Sequence, residues 1–93
     1  MGYTFEWDPE KADANLQKHG VNFDEASTVF GDPLSLLMPD PDHSADEERH
    51  LVLGMSAHQK LLVVAGAERS PNTRLISARP ATRAERKRYE EET

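Results

Sequence analysis

A single apolar run, Leu61 to Ala67, sets the terms on which this chain can fold. It is far short of the about 20 residues that a membrane-spanning helix needs. Leu61-Leu62-Val63-Val64-Ala65 has no polar position on either alternation, so it reads as a central strand covered on both faces. The flanking sequence supplies its neighbours. Leu51, Leu53 and Met55 alternate in a strand from about Arg49 to Ser56, and Thr73 to Ala78 is another. His58-Gln59 and Ser70-Pro71-Asn72 are the turns between them. Leu34 to Met38 is a further short strand, and the proline- and acid-rich stretch Pro39 to Glu48 is an exposed loop.

The N-terminal third reads differently. Tyr3, Phe5 and Trp7 alternate in a short half-buried strand. Asp8 caps a helix from Pro9 to about His19, whose apolar face is read as Ala12, Leu16 and His19, and Gly20 stands at the left-handed C-terminal cap. Asn22 caps a second helix with Glu25 three residues on, as in a capping box. Phe23, Ala26, Val29 and Phe30 line one face, and Gly31 and Pro33 end it. Thr82 and Glu85 form the capping box of a C-terminal helix running to about Glu91. The expected architecture is α+β, with a curved antiparallel sheet of about four to five strands, two N-terminal helices and one C-terminal helix.

Ninety-three residues make one domain, 1–93, with a single modest core. The chain has no cysteine, which removes disulfides, thiolate nucleophiles and zinc–cysteine sites together. A secreted domain of this size usually carries disulfides, and the N-terminus has no signal pattern, so a cytoplasmic protein is expected. No GxGxxG or GxxxxGK[ST] motif occurs, so nucleotide-cofactor folds are not expected.

The net charge of −6 hides an asymmetry. Residues 1–48 carry twelve acids and two lysines; residues 49–93 carry nine basic residues and five acids, and all seven arginines lie at or after Arg49. Such a split suits an anion-binding region on an acidic body, against the plainer reading that the halves neutralise each other. Arg69 ends the central strand, Arg79 lies just before the last helix, and Arg83 and Arg86 share one of its faces. The hairpin is expected to bring Arg69, Arg79 and Arg83 to one rim, where guanidinium forks and a helix N-terminus suit phosphate oxygens. For Arg86 and Arg88, pairing with the helix glutamates is the plainer reading. Trp7 is either a packing residue or a stacking platform for a base. His19 ends a helix, where its cation favours the dipole, and is also a proton-transfer candidate. His43 with Asp42 and Asp46 lacks the regularity of a metal motif, and no metal or cofactor is expected.

Several segments then fall into a recognisable order. They are Phe5-Glu6-Trp7-Asp8, Lys18-His19-Gly20-Val21, Phe23 with Glu25-Ala26, Val29-Phe30 with Asp32-Pro33, and Asp42-His43-Ser44 with Glu47-Glu48-Arg49. Glu68-Arg69, Ile76-Ser77-Ala78-Arg79, and Ala81-Thr82-Arg83 with Glu85-Arg86 and Tyr89 follow. Together these resemble the BrnT family of type II toxin–antitoxin toxins, from about Thr4 to Glu91. The resemblance implies a RelE-like fold and a metal-independent ribonuclease toxin that cleaves RNA and arrests translation. It implies neutralisation by a BrnA-like ribbon-helix-helix antitoxin in a hetero-oligomer, with operator DNA bound only through that antitoxin. It places catalytic roles on Arg69 and Arg79, with Lys18 or His19 for proton transfer, and RNA contacts on Trp7 and Arg83; Arg86, on the same helix face as Arg83, is counted with them as an RNA-binding candidate. One departure stands out: Gly66-Ala67 replaces an aromatic or His followed by Thr. The alternative is therefore a weak or inactive relative that serves as the antitoxin's partner in a repressor complex.

Overall fold

In the computed structural model, residues 4–40 and 49–92 are described. Within them the order is β1 (Phe5–Glu6), α1 (Pro9–His19), α2 (Phe23–Thr28), a 3-10 turn at Val29–Gly31, β2 (Leu36–Pro39), β3 (Arg49–Met55), β4 (Leu61–Arg69), β5 (Asn72–Pro80) and α3 (Arg83–Glu92). The five strands form one sheet in the order β1-β5-β4-β3-β2. The apolar run is β4, between β3 and β5 and buried from Leu61 to Ala67, as its lack of a polar alternation requires.

The sheet is mixed, not wholly antiparallel. β2 to β5 form the expected antiparallel meander, but β1 runs parallel to β5, with Phe5 opposite Thr73 and Glu6 opposite Arg74. Alternation marks a strand and its buried face but carries no direction. A two-residue edge strand takes its direction from where the long crossover through α1 and α2 leaves it.

Each face of the sheet has its own core. Val52, Leu62, Val64, Leu75 and Ala78 pack under Val21, Phe23, Ala26 and Val29 of the α1–α2 layer. Leu53, Leu61, Val63 and Met38 pack under Tyr89 of α3. Trp7 meets Phe23 edge to face, with ring centroids 5.8 Å apart, which ties the β1 end to α2.

The local signals hold where caps set them. Asp8 accepts from the Glu10 N–H at 2.9 Å, and Asn22 from the Glu25 N–H at 2.7 Å. Gly20 adopts φ 72° and closes α1 with its N–H on the Leu16 carbonyl at 2.8 Å. The buried face of α1 differs from expectation: Leu16 is 46% exposed, while Asn15 is 7% exposed. Asn15 Nδ2 donates to the carbonyls of Val21 (2.9 Å) and Ala78 (2.8 Å), and its Oδ1 accepts from the Ala78 N–H (3.0 Å). A buried amide so fully satisfied acts as a clamp between α1 and β5.

The β2 edge is finished by Asp32. β2 ends opposite Leu53, so the Met55 N–H lies beyond it and donates to Asp32 Oδ2 at 2.8 Å. The same oxygen accepts from Tyr89 Oη at 2.6 Å, which ties α3 to the turn after α2. Gly54 permits that closeness, because a Cβ there would stand 2.9 Å from both Val29 Cγ1 and Ser35 Cβ.

Candidate functional site

The hairpin β4–β5 separates the two arginines expected at one rim. Arg69 pairs with Asn72 at the turn, whereas Arg79 pairs with Val63 at the opposite end. At about 3.3 Å per residue they lie roughly 20 Å apart along the sheet. The C-terminal ends of two antiparallel strands lie at opposite ends of the pair, and Arg69 closes its strand while Arg79 nearly completes the next. Arg79 and Arg83 do stay near each other, at the start of α3.

Arg79 has an acidic partner that strand position does not announce. Its guanidinium donates from Nη1 to Glu85 Oε1 at 2.8 Å and from Nη2 to Oε2 at 2.9 Å. Glu85 is also the capping-box residue: the Thr82 N–H donates to Oε1 at 2.8 Å, and the Glu85 N–H donates to Thr82 Oγ1 at 3.2 Å. The Arg79 hydrogen bonds, helped by Thr82 and opposed by partial burial, hold the Glu85 carboxyl down at about 2. The same bonds raise the Arg79 pKa.

Beside this pair lies a cleft of about 310 Å³. His19 and Gly20 form one wall, Gln59 and Lys60 the second, and Pro80, Ala81 and Arg86 the third. Three cationic or protonatable side chains from three distant segments therefore converge. Each is placed by a separate device. The Asn15 clamp and the Gly20 cap set His19. The capping box and the buried Tyr89 set the roll of α3 and so Arg86.

Lys60 is set by Ser56. The Ser56 N–H donates to the Lys60 carbonyl at 2.8 Å, and the Lys60 N–H donates to Ser56 Oγ at 3.2 Å. That hydroxyl donates to Glu25 Oε2 at 2.7 Å. Glu25, 8% exposed, thus anchors the β3–β4 turn instead of reaching back to the Asn22 N–H as a capping box would. Gln59 takes φ 63° at the tip, which turns the chain into β4 at Lys60.

The other expected residues sit elsewhere. Lys18 lies with Asp13, Ala14 and Gln17 on the exposed side of α1 and does not line the cleft that His19 lines. Trp7 is half-buried against Phe23. Arg83 is exposed at the first residue of α3. His43, Asp42 and Asp46 lie outside the described residues, and among those described no group of three or more His, Cys, Asp or Glu could hold a metal ion. Sequence reasoning missed Lys60, although its place between a turn and the central strand was a usable signal. No helix among the described residues is long and apolar enough to cross a membrane.

Comparison with known proteins agrees with this architecture. The family model described as "Ribonuclease toxin, BrnT, of type II toxin-antitoxin system" matches residues 7–85. The crystal structure of the Brucella abortus ribonuclease toxin BrnT superposes with a TM-score of 0.67 at 21% identity, over 88% of this chain and 100% of that one. Among curated proteins none matches. A family match across most of the chain, on a fold shared with that structure, makes this protein a member of the BrnT family of type II toxin–antitoxin ribonuclease toxins.

Proposed function

We propose that this chain is a metal-independent endoribonuclease that cleaves RNA in the cytoplasm and arrests translation, and that the cleft between His19, Lys60 and Arg86 receives the scissile phosphate. The observation that supports this most is the convergence of those three side chains beside the Arg79–Glu85 pair. In the reaction the RNA 2′-oxygen bonds to the adjacent phosphorus and the bond to the 5′-oxygen breaks. The products are a 2′,3′-cyclic phosphate and a 5′-hydroxyl. The substrate brings its own nucleophile, so the protein must align it, neutralise the phosphorane and move one proton.

His19 takes the 2′-hydroxyl proton, the task for which imidazole is suited near neutral pH, and the departing 5′-oxygen takes a proton from solvent to leave as the 5′-hydroxyl. Lys60 and Arg86 stabilise the phosphorane oxygens, and Arg79 adds a fixed positive charge at the rim, held in place by Glu85. Arg83, at the start of α3, guides the strand beside the cleft, whereas Lys18 on the exposed side of α1 and Arg69 at the far end of the hairpin stand apart from it. Trp7, packed edge to face with Phe23 against the core, holds the β1 end in place. Positioning and charge supply much of such an acceleration even with modest acid–base help.

The partner is a BrnA-like ribbon-helix-helix antitoxin that binds operator DNA on behalf of the hetero-oligomer. Induction of the chain alone should arrest growth, and co-expression of the antitoxin should relieve it. One observation favours a second reading, in which the chain is an inactive partner in a repressor complex: the fork of Arg79 is already filled by Glu85. A folded, soluble chain that leaves growth untouched on induction would decide for that reading.

A further inference from the structure

A second cleft, of about 390 Å³, opens on the α1–α2 face of the sheet and includes Phe30, Leu37, His50, Glu68 and Thr73 in its walls. Its volume falls in the about 300–1,000 Å³ range of small-ligand sites. Lys60 begins the approach to β4 and Glu68 nearly ends it, so the two clefts are about 25 Å apart at ~3.3 Å per residue.

Gly66 lies beside two of the pocket's walls, His50 and Thr73. Gly66 pairs with His50 across β3–β4. A Cβ on it would stand 3.5 Å from Thr73 Cγ2 and 3.7 Å from His50 Nε2, so any longer side chain would enter the space between them. Phe30 is held edge-on to Phe5, with ring centroids 5.0 Å apart, and forms one apolar wall. Leu37, 71% exposed on β2, forms another. Glu68 is exposed two residues after Gly66, on the same side of β4, and is the one acid among the described lining residues. Arg69, next in the chain, falls on the opposite side by strand alternation, so the rim carries a carboxylate inward and a guanidinium outward.

Among the described lining residues, the Phe30 ring, the aliphatic Leu37, the His50 imidazole and the Glu68 carboxylate suit a flat heteroaromatic ring with adjacent N–H donors. Among RNA bases, guanine presents N1–H and N2–H₂ side by side, which matches the two oxygens of a carboxylate. Adenine and cytosine set their amino group beside an acceptor, and uracil sets its N–H between two acceptors. Proteins that read single-stranded RNA commonly splay out a base and bond its Watson–Crick edge in this way. Resting on the ribonuclease reading and deepening it, we propose that this pocket holds a guanine base of the RNA, several nucleotides from the cleaved phosphate, with Glu68 as the group that selects it.

The test uses the full chain and short all-2′-O-methyl oligonucleotides, which lack the attacking hydroxyl, with one position varied among guanine, inosine and adenine. Fluorescence anisotropy should show guanine bound about tenfold or more tightly over adenine, as a good bidentate contact gives, with inosine, which lacks the 2-amino group, in between. Glu68→Gln should bring the guanine and adenine affinities together while RNA is still bound. Gly66→Leu should do the same by filling the pocket, with circular dichroism reporting that the variant is folded. Equal affinity for guanine and adenine in the unaltered chain, or a preference that survives Glu68→Gln, overturns the pocket and leaves the ribonuclease reading standing. No binding of any oligonucleotide overturns both. Loss of antitoxin binding in Glu68→Gln, with no base preference in the parent, assigns the pocket to the protein partner and overturns the proposal.

Discussion

Glu85 holds Arg79 through two parallel hydrogen bonds of 2.8 and 2.9 Å while it also closes the capping box of α3 on Thr82. One carboxylate thus fixes the helix start and the orientation of an arginine at the rim of the basic cleft. Removing either partner affects both.

The pair has a pH signature. The Glu85 carboxyl titrates near 2 in the folded chain against an ordinary 4.5, first because of the Arg79 hydrogen bonds. A depressed folded value means that this stability is fully present above about 4.5 and is lost as the pH falls toward 2. Thermal melting followed from pH 6 to roughly pH 2 should show that loss in the parent and a smaller one in Glu85→Gln. At neutral pH, Glu85→Gln should cost about 1 kcal/mol through the weakened cap and the screened ion pair. Arg79→Ala should lower stability as well as activity, because it also strips Glu85 of its fork.

Asn15 carries a larger share of stability. It makes three hydrogen bonds between α1, the Val21 carbonyl and the backbone of Ala78. Asn15→Leu leaves those buried groups without partners, so a loss of about 2–4 kcal/mol is expected in denaturant unfolding. A change under about 0.5 kcal/mol, the scale of an ordinary surface substitution, would show that the clamp is dispensable.

Tyr89 joins α3 to the turn that holds Asp32. Burial first, and then the hydrogen bond to the Asp32 carboxylate, pushes its phenol up to about 12. A raised folded value means that the contribution is present below the ordinary 10 and is lost as the pH climbs toward 12. Ultraviolet titration should therefore show one tyrosine ionising late. Tyr89→Phe should cost about 1–2 kcal/mol, since Asp32 keeps the N–H donors of Met55 and Leu34.

Caps and turns were readable in the sequence because their chemistry is local. Asp8, Gly20, Asn22 and the Thr82–Glu85 box each act within a few residues. The central strand was readable because its unbroken apolar run is short, rich in valine and bounded by turn signals at His58-Gln59 and Ser70-Pro71-Asn72. What was not readable depends on distant partners. Leu16 looks like the buried residue of α1 until β5 supplies Ala78, and then Asn15 is the one that fits inward. Glu25 looks like a capping-box acid until Ser56 arrives from the β3–β4 turn. The basic cleft is of this second kind. His19 and Arg86 were legible singly, but Lys60 and the separation of Arg69 from Arg79 follow from hairpin register, which no local pattern encodes.

The most direct test of the basic cleft is cleavage of a single-stranded RNA by purified protein in EDTA, for the parent, His19→Ala, Arg86→Ala and Arg88→Ala, each checked for folding by circular dichroism. Arg88 is an exposed residue of α3 that pairs with Glu92 at 3.6 Å, away from the cleft, and serves as the charge-matched control. The parent and Arg88→Ala should cleave equally, leaving 2′,3′-cyclic phosphate ends. Arg86→Ala should be slower by about 100- to 1,000-fold, the usual cost of one charge-stabilising donor, and His19→Ala by about 100-fold or more. Full activity in folded His19→Ala and Arg86→Ala, or equal losses at Arg86 and Arg88, would contradict the assignment of this cleft.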